Sequence, residues 1–520
     1  MNKNKKITKG LSSYTKNDSD FFFARDREVE SALEILKKNK ILTINGPTSS
    51  GKSSFVESGI LNRLSKNFTG RSGKSWKFCS FRPGFSPIEN LCKSISVDDT
   101  LYLSSKPTTS DFDDYCDIIR KKQGFGLIDI YKKSEIFNNS NLLIHIDQIE
   151  DLFKYSKIFD SENNKDDDLL IDLIDKSVRN EFCSIYFIIS VQDEYLSKLN
   201  IYGKFSELLS LSQFNLPGLD SFNLLNKYSK HSKFDIDKIK LNKFSDQINE
   251  KPYLITNLQY LLNKLEDNFI SSNKNKIDEL DSGTNSLEKI ISNDLDAYLQ
   301  KLSKDKYENY IRLFRALINS DIENKIYFQK FKYIKNYIGK DSKTTTNIIL
   351  NFNSDFGFLF DSISENITQI VSNNNFIFGD NDVIILKHQN CLNWKLFKTW
   401  EKEEFKFYES LLFFENKIKQ NENLSNSEIS EGLGLIKNEL INNYWSDKYG
   451  INFTTIIEYI QSQKSLYDDK IKEKNRLLEQ SKRSLLIKKI AAYSIGVIIF
   501  ILLIKTHLEK REVRDIEKEK

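Results

Sequence analysis

The sequence predicts an α/β P-loop-type domain on a parallel sheet, then an all-α helical domain, a winged-helix unit and a C-terminal single transmembrane helix. Three observations carry that reading. An apolar, β-branched run, Ile41 to Ile44, ends in Asn45-Gly46-Pro47-Thr48-Ser49-Ser50-Gly51-Lys52-Ser53-Ser54 and passes into an amphipathic run, Phe55 to Leu64. A second run, Leu142 to Ile146, is almost wholly apolar and ends in Asp147. Near the C-terminus, Leu485 to Ile504 is apolar except at a few positions. Apolar runs closed by turn residues and alternating with helical periodicity give a parallel sheet covered by helices.

The first run carries the most specific chemistry. Gly46 to Ser53 spells G-x-x-x-x-G-K-[ST] between a strand and a helix, the context this phosphate-binding loop requires. Gly46 and Gly51 let the backbone curl so that the N–H groups of Thr48, Ser49, Ser50, Gly51, Lys52, Ser53 and Ser54 face a phosphate chain. The helix that follows adds a favourable dipole for anions. Lys52 is expected to reach the terminal phosphates, as a binding and catalytic group, and the Ser53 hydroxyl to ligate Mg²⁺.

Composition narrows the rest. Lysine and arginine number 77 against 73 aspartates and glutamates, a net charge of +4 over 520 residues, so no global nucleic-acid signal exists. The five cysteines are scattered, with no C-x-x-C pair, which suggests neither a disulfide framework nor a zinc site. The N-terminus lacks an apolar signal segment.

In chain order, residues 1–20 are polar and are expected to form a flexible tail. The α/β domain is assigned to 21–219. Phe21-Phe22-Phe23-Ala24-Arg25 leads into a helix, Val29 to Lys38, and Arg25 is a candidate nucleotide contact. Trp76 to Phe81 reads as a second strand, closed by Arg82-Pro83-Gly84. At the end of the Leu142 run, Asp147 is the candidate Mg²⁺ ligand and Glu150 the candidate base that orients the attacking water. His145, inside that strand, reads as a packed or paired histidine. Cys183 to Ser190 is a further core strand, and Leu216-Pro217-Gly218-Leu219 a boundary.

Residues 220–325 are helical, with runs at Phe222–Tyr228, Tyr253–Leu265, Leu287–Leu302 and Tyr307–Ile318. Within 326–398, Asn375 to Phe378 and Val383 to Leu386 read as a hairpin after helices, the outline of a winged helix. No Lys/Arg-rich recognition helix stands out, so a nucleic acid is not an expected partner. Residues 399–484 are helical and charged. Residues 485–504 read as one membrane span, the alternative being a helix packed on a partner protein, and 505–520 form a polar tail. A span with an ATP site before it places the bulk of the chain in the cytoplasm, as a single-pass membrane protein.

Taken together, Phe23-Ala24-Arg25-x-x-Glu28, the phosphate loop, Arg82-Pro83-Gly84 with Pro87, Asp147-Gln148-Ile149-Glu150-Asp151-Leu152-Phe153 and Lys387-His388-Gln389-x-x-Leu392-x-Trp394 resemble, in that order, the bacterial novel STAND NTPases, often fused to WD40 repeats. The resemblance covers about residues 20 to 480. It implies a signal-transducing ATPase that rests with ADP, switches with ATP and Mg²⁺, and forms a homo-oligomer when active. It implies that Arg25 contacts nucleotide and that His388 senses its state, and it supplies the expectation of ATP over GTP. Many related members act in antiviral defence. The chain departs from the pattern at Ala24, Gln192 and Gln389, and lacks the repeats. The expected activity is a membrane-anchored nucleotide switch, with slow hydrolysis, whose trigger or partner protein the sequence does not name. A constitutive scaffold holding a structural nucleotide is the alternative.

Overall fold

The computed structural model describes residues 7–23, 25–67, 74–84, 86–97, 100–102, 109–155, 164–231, 238–251, 254–272, 286–318, 327–356, 360–363, 377–386 and 394–518. The chain divides into two compact units, Met1–Lys402 and Glu403–Lys520.

The first unit is built on a five-stranded parallel sheet. Its strands are β1 (Ile41–Gly46), β2 (Ser75–Phe81), β3 (Ser140–Ile146), β4 (Ile185–Gln192) and β5 (Gln213–Asn215), in the order β2-β3-β4-β1-β5. Every residue of β1 and β3 is buried, as continuous apolar runs in a doubly covered sheet require. The four longer strands lie where the apolar runs place them. The fifth adds Gln213–Asn215 to the free edge of β1.

Helices cover both faces. α1 (Asp26–Asn39) and α2, which runs as α-helix over Lys52–Ser54, widens to a π-turn over Phe55–Ile60 and returns to α over Leu61–Asn67, pack on one face. Their core joins Leu33, Leu36, Phe55 and Val56 to Leu42, Ile44 and Ile188. On the other face lie α3 (Pro87–Ile95), α4 (Thr109–Lys122), α5 (Gly126–Lys133) and α6 (Asn164–Arg179), around Leu91, Ile119, Tyr131 and Leu170. α7 (Lys204–Ser212) leads into β5.

Helices α8 (Ser221–His231), α9 (Lys238–Glu250), α10 (Ile255–Ser272), α11 (Leu287–Gln300) and α12 (Lys304–Leu317) follow; all but α9 lie close to the expected runs, and α9 is an additional helix between the first two. Leu225, Ile248, Leu258, Leu262, Leu287 and Ile290 form a separate core. Ile7 belongs to that core, and Thr8, Leu11 and Asp18 are buried. Ile7 to Leu11 and Asp18 are therefore packed within residues 1–20, where a flexible tail is expected. Polar composition hides this because only Ile7 and Leu11 pack as apolar side chains, and the rest is held by hydrogen bonds to distant residues such as Glu266 and Gln259.

Next, β6 (Phe328–Lys330), α13 (Phe331–Ile338), α14 (Ser342–Phe356), β7 (Phe360–Ile363) and β8 (Val383–Leu386) form a small mixed unit with an antiparallel sheet of order β6-β8-β7. The expected hairpin of Asn375–Phe378 with Val383–Leu386 needs correction. The partners of β8 are Phe328–Lys330 and Phe360–Ile363; residues 377 and 378 are not strand, and 375 and 376 lie outside the described residues. β8 is the central strand, with β6 on one edge and β7 on the other, so no edge remains for the preceding residues; Asp382, whose carboxylate accepts from the Gly379 N–H at 2.7 Å, closes a turn just before it. Lys387, His388 and Gln389 also lie outside the described residues, as does Ala24.

The helix α15 (Lys395–Lys419) begins in the first unit, where buried Trp394 and Trp400 meet edge-to-face at 5.3 Å. The second unit contains α16 (Asn426–Ile436) and α17 (Phe453–Lys518), a single helix of 66 residues. Lys448 and Glu404, both buried, form an ion pair at 2.8 Å there. Ile456 and Ile460 of α17 are buried, whereas its apolar stretch is wholly exposed, and the helix is long and apolar enough to cross a membrane.

Candidate nucleotide site

The site lies at the carboxyl ends of the parallel strands, where loops converge and a ligand is expected in an open α/β sheet. β4 separates β1 from β3, so the loop after β1 and the acidic end of β3 stand one strand apart, with Gln192 ending the strand between them.

The loop follows from its residues. Gly51 has φ 86°, a left-handed conformation that glycine adopts without cost, and it caps α2. Ser49, at φ 62°, adopts the same region without that freedom, a strained position of the kind that clusters at ligand sites. The buried Lys52 donates from Nζ to the carbonyls of Gly46 at 2.8 Å and Pro47 at 2.9 Å. Burial lowers its pKa, while Glu150, Asp147 and Asp193 act to hold it charged. An ammonium that grips its own loop is placed to exchange those carbonyls for phosphate oxygens. The Ser50 hydroxyl oxygen is buried without a partner.

Ser53 Oγ donates to both carboxylate oxygens of Asp147, at 3.0 Å each. Arg82, at the end of β2, brings Nε to 3.9 Å from the same carboxylate. Among the described residues no group of three or more His, Cys, Asp or Glu is set to hold a metal. One hydroxyl and one carboxylate are a hard-oxygen pair of the kind that holds Mg²⁺ when phosphates and water complete the octahedron. The donor set therefore fits Mg²⁺ bound together with a phosphorylated ligand.

Glu150 is fully buried. Its Oε2 accepts the Gln192 backbone N–H at 3.3 Å, and Lys154 Nζ stands 3.7 Å from Oε1, which has no hydrogen-bond partner. Burial pushes its pKa up against the opposing pull of Lys154 and Lys52. A carboxylate with raised basicity and one unpartnered oxygen has the chemistry of a general base. Next to it, burial pushes the Asp151 carboxyl up to about 7, opposed by Arg82 and Lys154.

Arg25, 4% exposed, donates to Pro217 O at 2.7 Å and reaches Ser50 O at 3.5 Å, which puts it beside the phosphate loop. His145 is a paired core histidine: its ring nitrogens lie 2.9 Å from Ser80 Oγ and 3.0 Å from Ser190 Oγ. A cavity of about 340 Å³ opens over the loop. Arg25, the run Thr48–Ser54, Asp147 and Glu150 line it, together with Leu11, Phe22, Tyr228, Leu258 and Leu262.

The structure thus brings together Arg25, Thr48 to Ser54, Asp147 and Glu150 in one cavity, with Gly46 directly beneath as the acceptor for Lys52. His388 lies outside the described residues. Sequence reasoning missed three participants. Arg82 carried a signal, a cation at the end of a strand next to β3. Lys154 carried another, its i+4 spacing from Glu150 on a helix. The packed segment 7–14 carried none.

Comparison with known families matches residues 9–406 to Novel STAND NTPase 1. The chain belongs to this family. No curated protein matches it. Among solved structures, this STAND NTPase is similar to the Walker-type ATPase of Pyrococcus abyssi at 12% identity and a TM-score of 0.34, over 72% of this chain and 97% of that one. It is similar to the Aeropyrum pernix ORC2 protein at 13% identity and a TM-score of 0.36, over 74% and 95% of the two chains. The A. pernix ORC1 protein, solved in complex with DNA, gives 11% identity and a TM-score of 0.37, over 73% and 92%.

Proposed function

We propose that this STAND NTPase is a membrane-anchored ATP-dependent switch, resting with ADP and assembling with ATP, that signals in bacterial stress or antiphage defence. One observation carries the nucleotide part of the reading. The phosphate loop, the Ser53–Asp147 pair and the buried Glu150 line one cavity of about 340 Å³ that also has apolar lining residues, a mixture that suits a nucleotide's phosphates and base. Lys52 would bind the terminal phosphates, Ser53 and Asp147 would hold Mg²⁺, Glu150 would take the proton of the attacking water, and Arg25 steadies the loop from its place in the cavity wall. Bound Mg²⁺ would supply charge neutralisation at the phosphates. The small unit built on β6, β7 and β8 is the winged helix, and α17 is the anchor.

A second reading has its own support. Glu150 is engaged by the Gln192 N–H and faces Lys154, which holds it as an ion-paired side chain. A scaffold with a structural nucleotide and negligible hydrolysis fits that arrangement. The discriminating measurement is the mass of the detergent-solubilised protein with Mg²⁺-ADP and with a non-hydrolysable ATP analogue. Growth to a defined oligomer with the analogue alone supports the switch. An unchanged mass with bound nucleotide supports the scaffold.

A further inference from the structure

The segment 7–14 contributes part of the wall of the nucleotide cavity and is tied to two elements. On one side, a single carboxylate on α10 holds it: Glu266 accepts from the backbone N–H of Ile7 at 3.2 Å, the N–H of Thr8 at 3.1 Å and the Thr8 hydroxyl at 2.7 Å. Gln259, two turns earlier on the same helix, donates from Nε2 to Ser12 O at 3.0 Å. On the other side, Tyr14 donates its backbone N–H to Ser54 Oγ at 3.1 Å, within the phosphate loop's own helix. Thr8, Leu11, Ser12, Ser13 and Tyr14 all line the cavity. Thr8 and Glu266 are 2% and 7% exposed, and they lie 258 residues apart in the chain.

We infer that residues 7–14 are a latch over the nucleotide cavity, and that Glu266 is the positioning residue that anchors it and so sets how long a nucleotide stays bound. This rests on the nucleotide-site reading above. The physics makes the latch firm yet reversible. A buried carboxylate is tolerated because three donors satisfy it, two of them backbone groups that have no other use there. Opening the segment exposes Glu266 and the donors to water together, so each regains partners in solvent and no group is stranded. A nucleotide in the cavity leaves when the segment lifts. Weakening the anchor therefore speeds release, while the contacts made to the phosphates by the loop stay as they are.

The test uses the full-length protein in detergent with a fluorescent ADP analogue and Mg²⁺. Glu266→Ala is expected to release the analogue about ten-fold faster or more, and Glu266→Gln, which keeps one acceptor, to fall between it and wild type. Thr8→Val, which removes only the hydroxyl donor, is expected to speed release to a smaller degree. Hydrogen exchange provides a reading that needs no ligand: the amides of Ile7 and Thr8 lose protection in Glu266→Ala, while those of β1 and β3 keep theirs. Unchanged protection at Ile7 and Thr8 overturns the latch, as does release within two-fold of wild type in both Glu266 variants. Failure of the wild-type protein to bind the analogue overturns instead the nucleotide-site reading, and the exchange experiment still decides whether Glu266 anchors the segment.

Discussion

At the scale of single residues, the site is a balance between charges that burial makes costly and partners that make them tolerable. Lys52 is buried but grips two carbonyls, and Asp147 shares its charge with Ser53 and Arg82. Lys52→Ala is expected to weaken nucleotide binding by at least about ten-fold, since a charge-assisted contact to phosphate is lost, measured by titration with a fluorescent nucleotide. Asp151 gives a pH prediction. Burial raises its folded pKa from 3.8 to about 7, so the fold favours the protonated acid. Its contribution to stability is fully present below the unfolded pKa and is lost as pH rises through about 7. Asp151→Asn, which cannot ionise, should therefore gain stability over wild type on going from pH 5 to pH 8, by on the order of a few kcal/mol. Denaturation midpoints at the two pH values check this; an equal effect at both would refute it. Lys52, Ser53 and Asp147 were legible in the sequence because their chemistry fixes their spacing to strand ends. Arg82 is not legible in this way, because Asp147 becomes its neighbour only once β2 and β3 pair, whereas Lys154 carries only its i+4 spacing from Glu150.

At the scale of elements, legibility follows burial. β1, β3 and β4 are buried on both faces, so they read as unbroken apolar runs. β5 is a three-residue edge strand, exposed at Gln213 and Asn215, and no periodicity marks it. The partner of β8 was misread for a related reason: β6 and β7 lie far away in sequence, and local pattern favours the nearest apolar neighbour over a distant one. Close packing of elements yields a further prediction. A Cβ at Gly126, the first residue of α5, would stand 2.6 Å from Ile119 Cα, a backbone atom of α4 that cannot step aside alone. Gly126→Ala should cost roughly 1–3 kcal/mol by forcing the two helices apart, seen as a lower thermal midpoint. A midpoint equal to that of wild type would mean that the helices separate freely.

At the scale of the whole molecule, the family match ends at residue 406, near the end of the first unit, and α17 lies beyond it. The membrane reading belongs to this scale. Truncation after Arg483 is expected to move the protein from the membrane fraction to the soluble fraction on cell lysis without changing nucleotide affinity; retention with membranes would assign the attachment to the rest of the chain. The apolar run and its flanking lysines were legible because a bilayer imposes length and composition at once. What composition did not convey is that α17 is continuous from its buried start at Phe453 to Lys518. A helix of that length spans roughly 100 Å at 1.5 Å per residue. Its packed turns, around Ile456 and Ile460, form a short fulcrum at one end. Leverage then follows from plain geometry: the middle of the apolar run lies roughly 55 Å along the helix from the fulcrum, so a tilt of about five degrees there swings it through roughly 5 Å, more than a van der Waals contact distance. A small rearrangement of the few side chains around Ile456 and Ile460 is thereby amplified into a displacement large enough to decide whether two apolar segments touch.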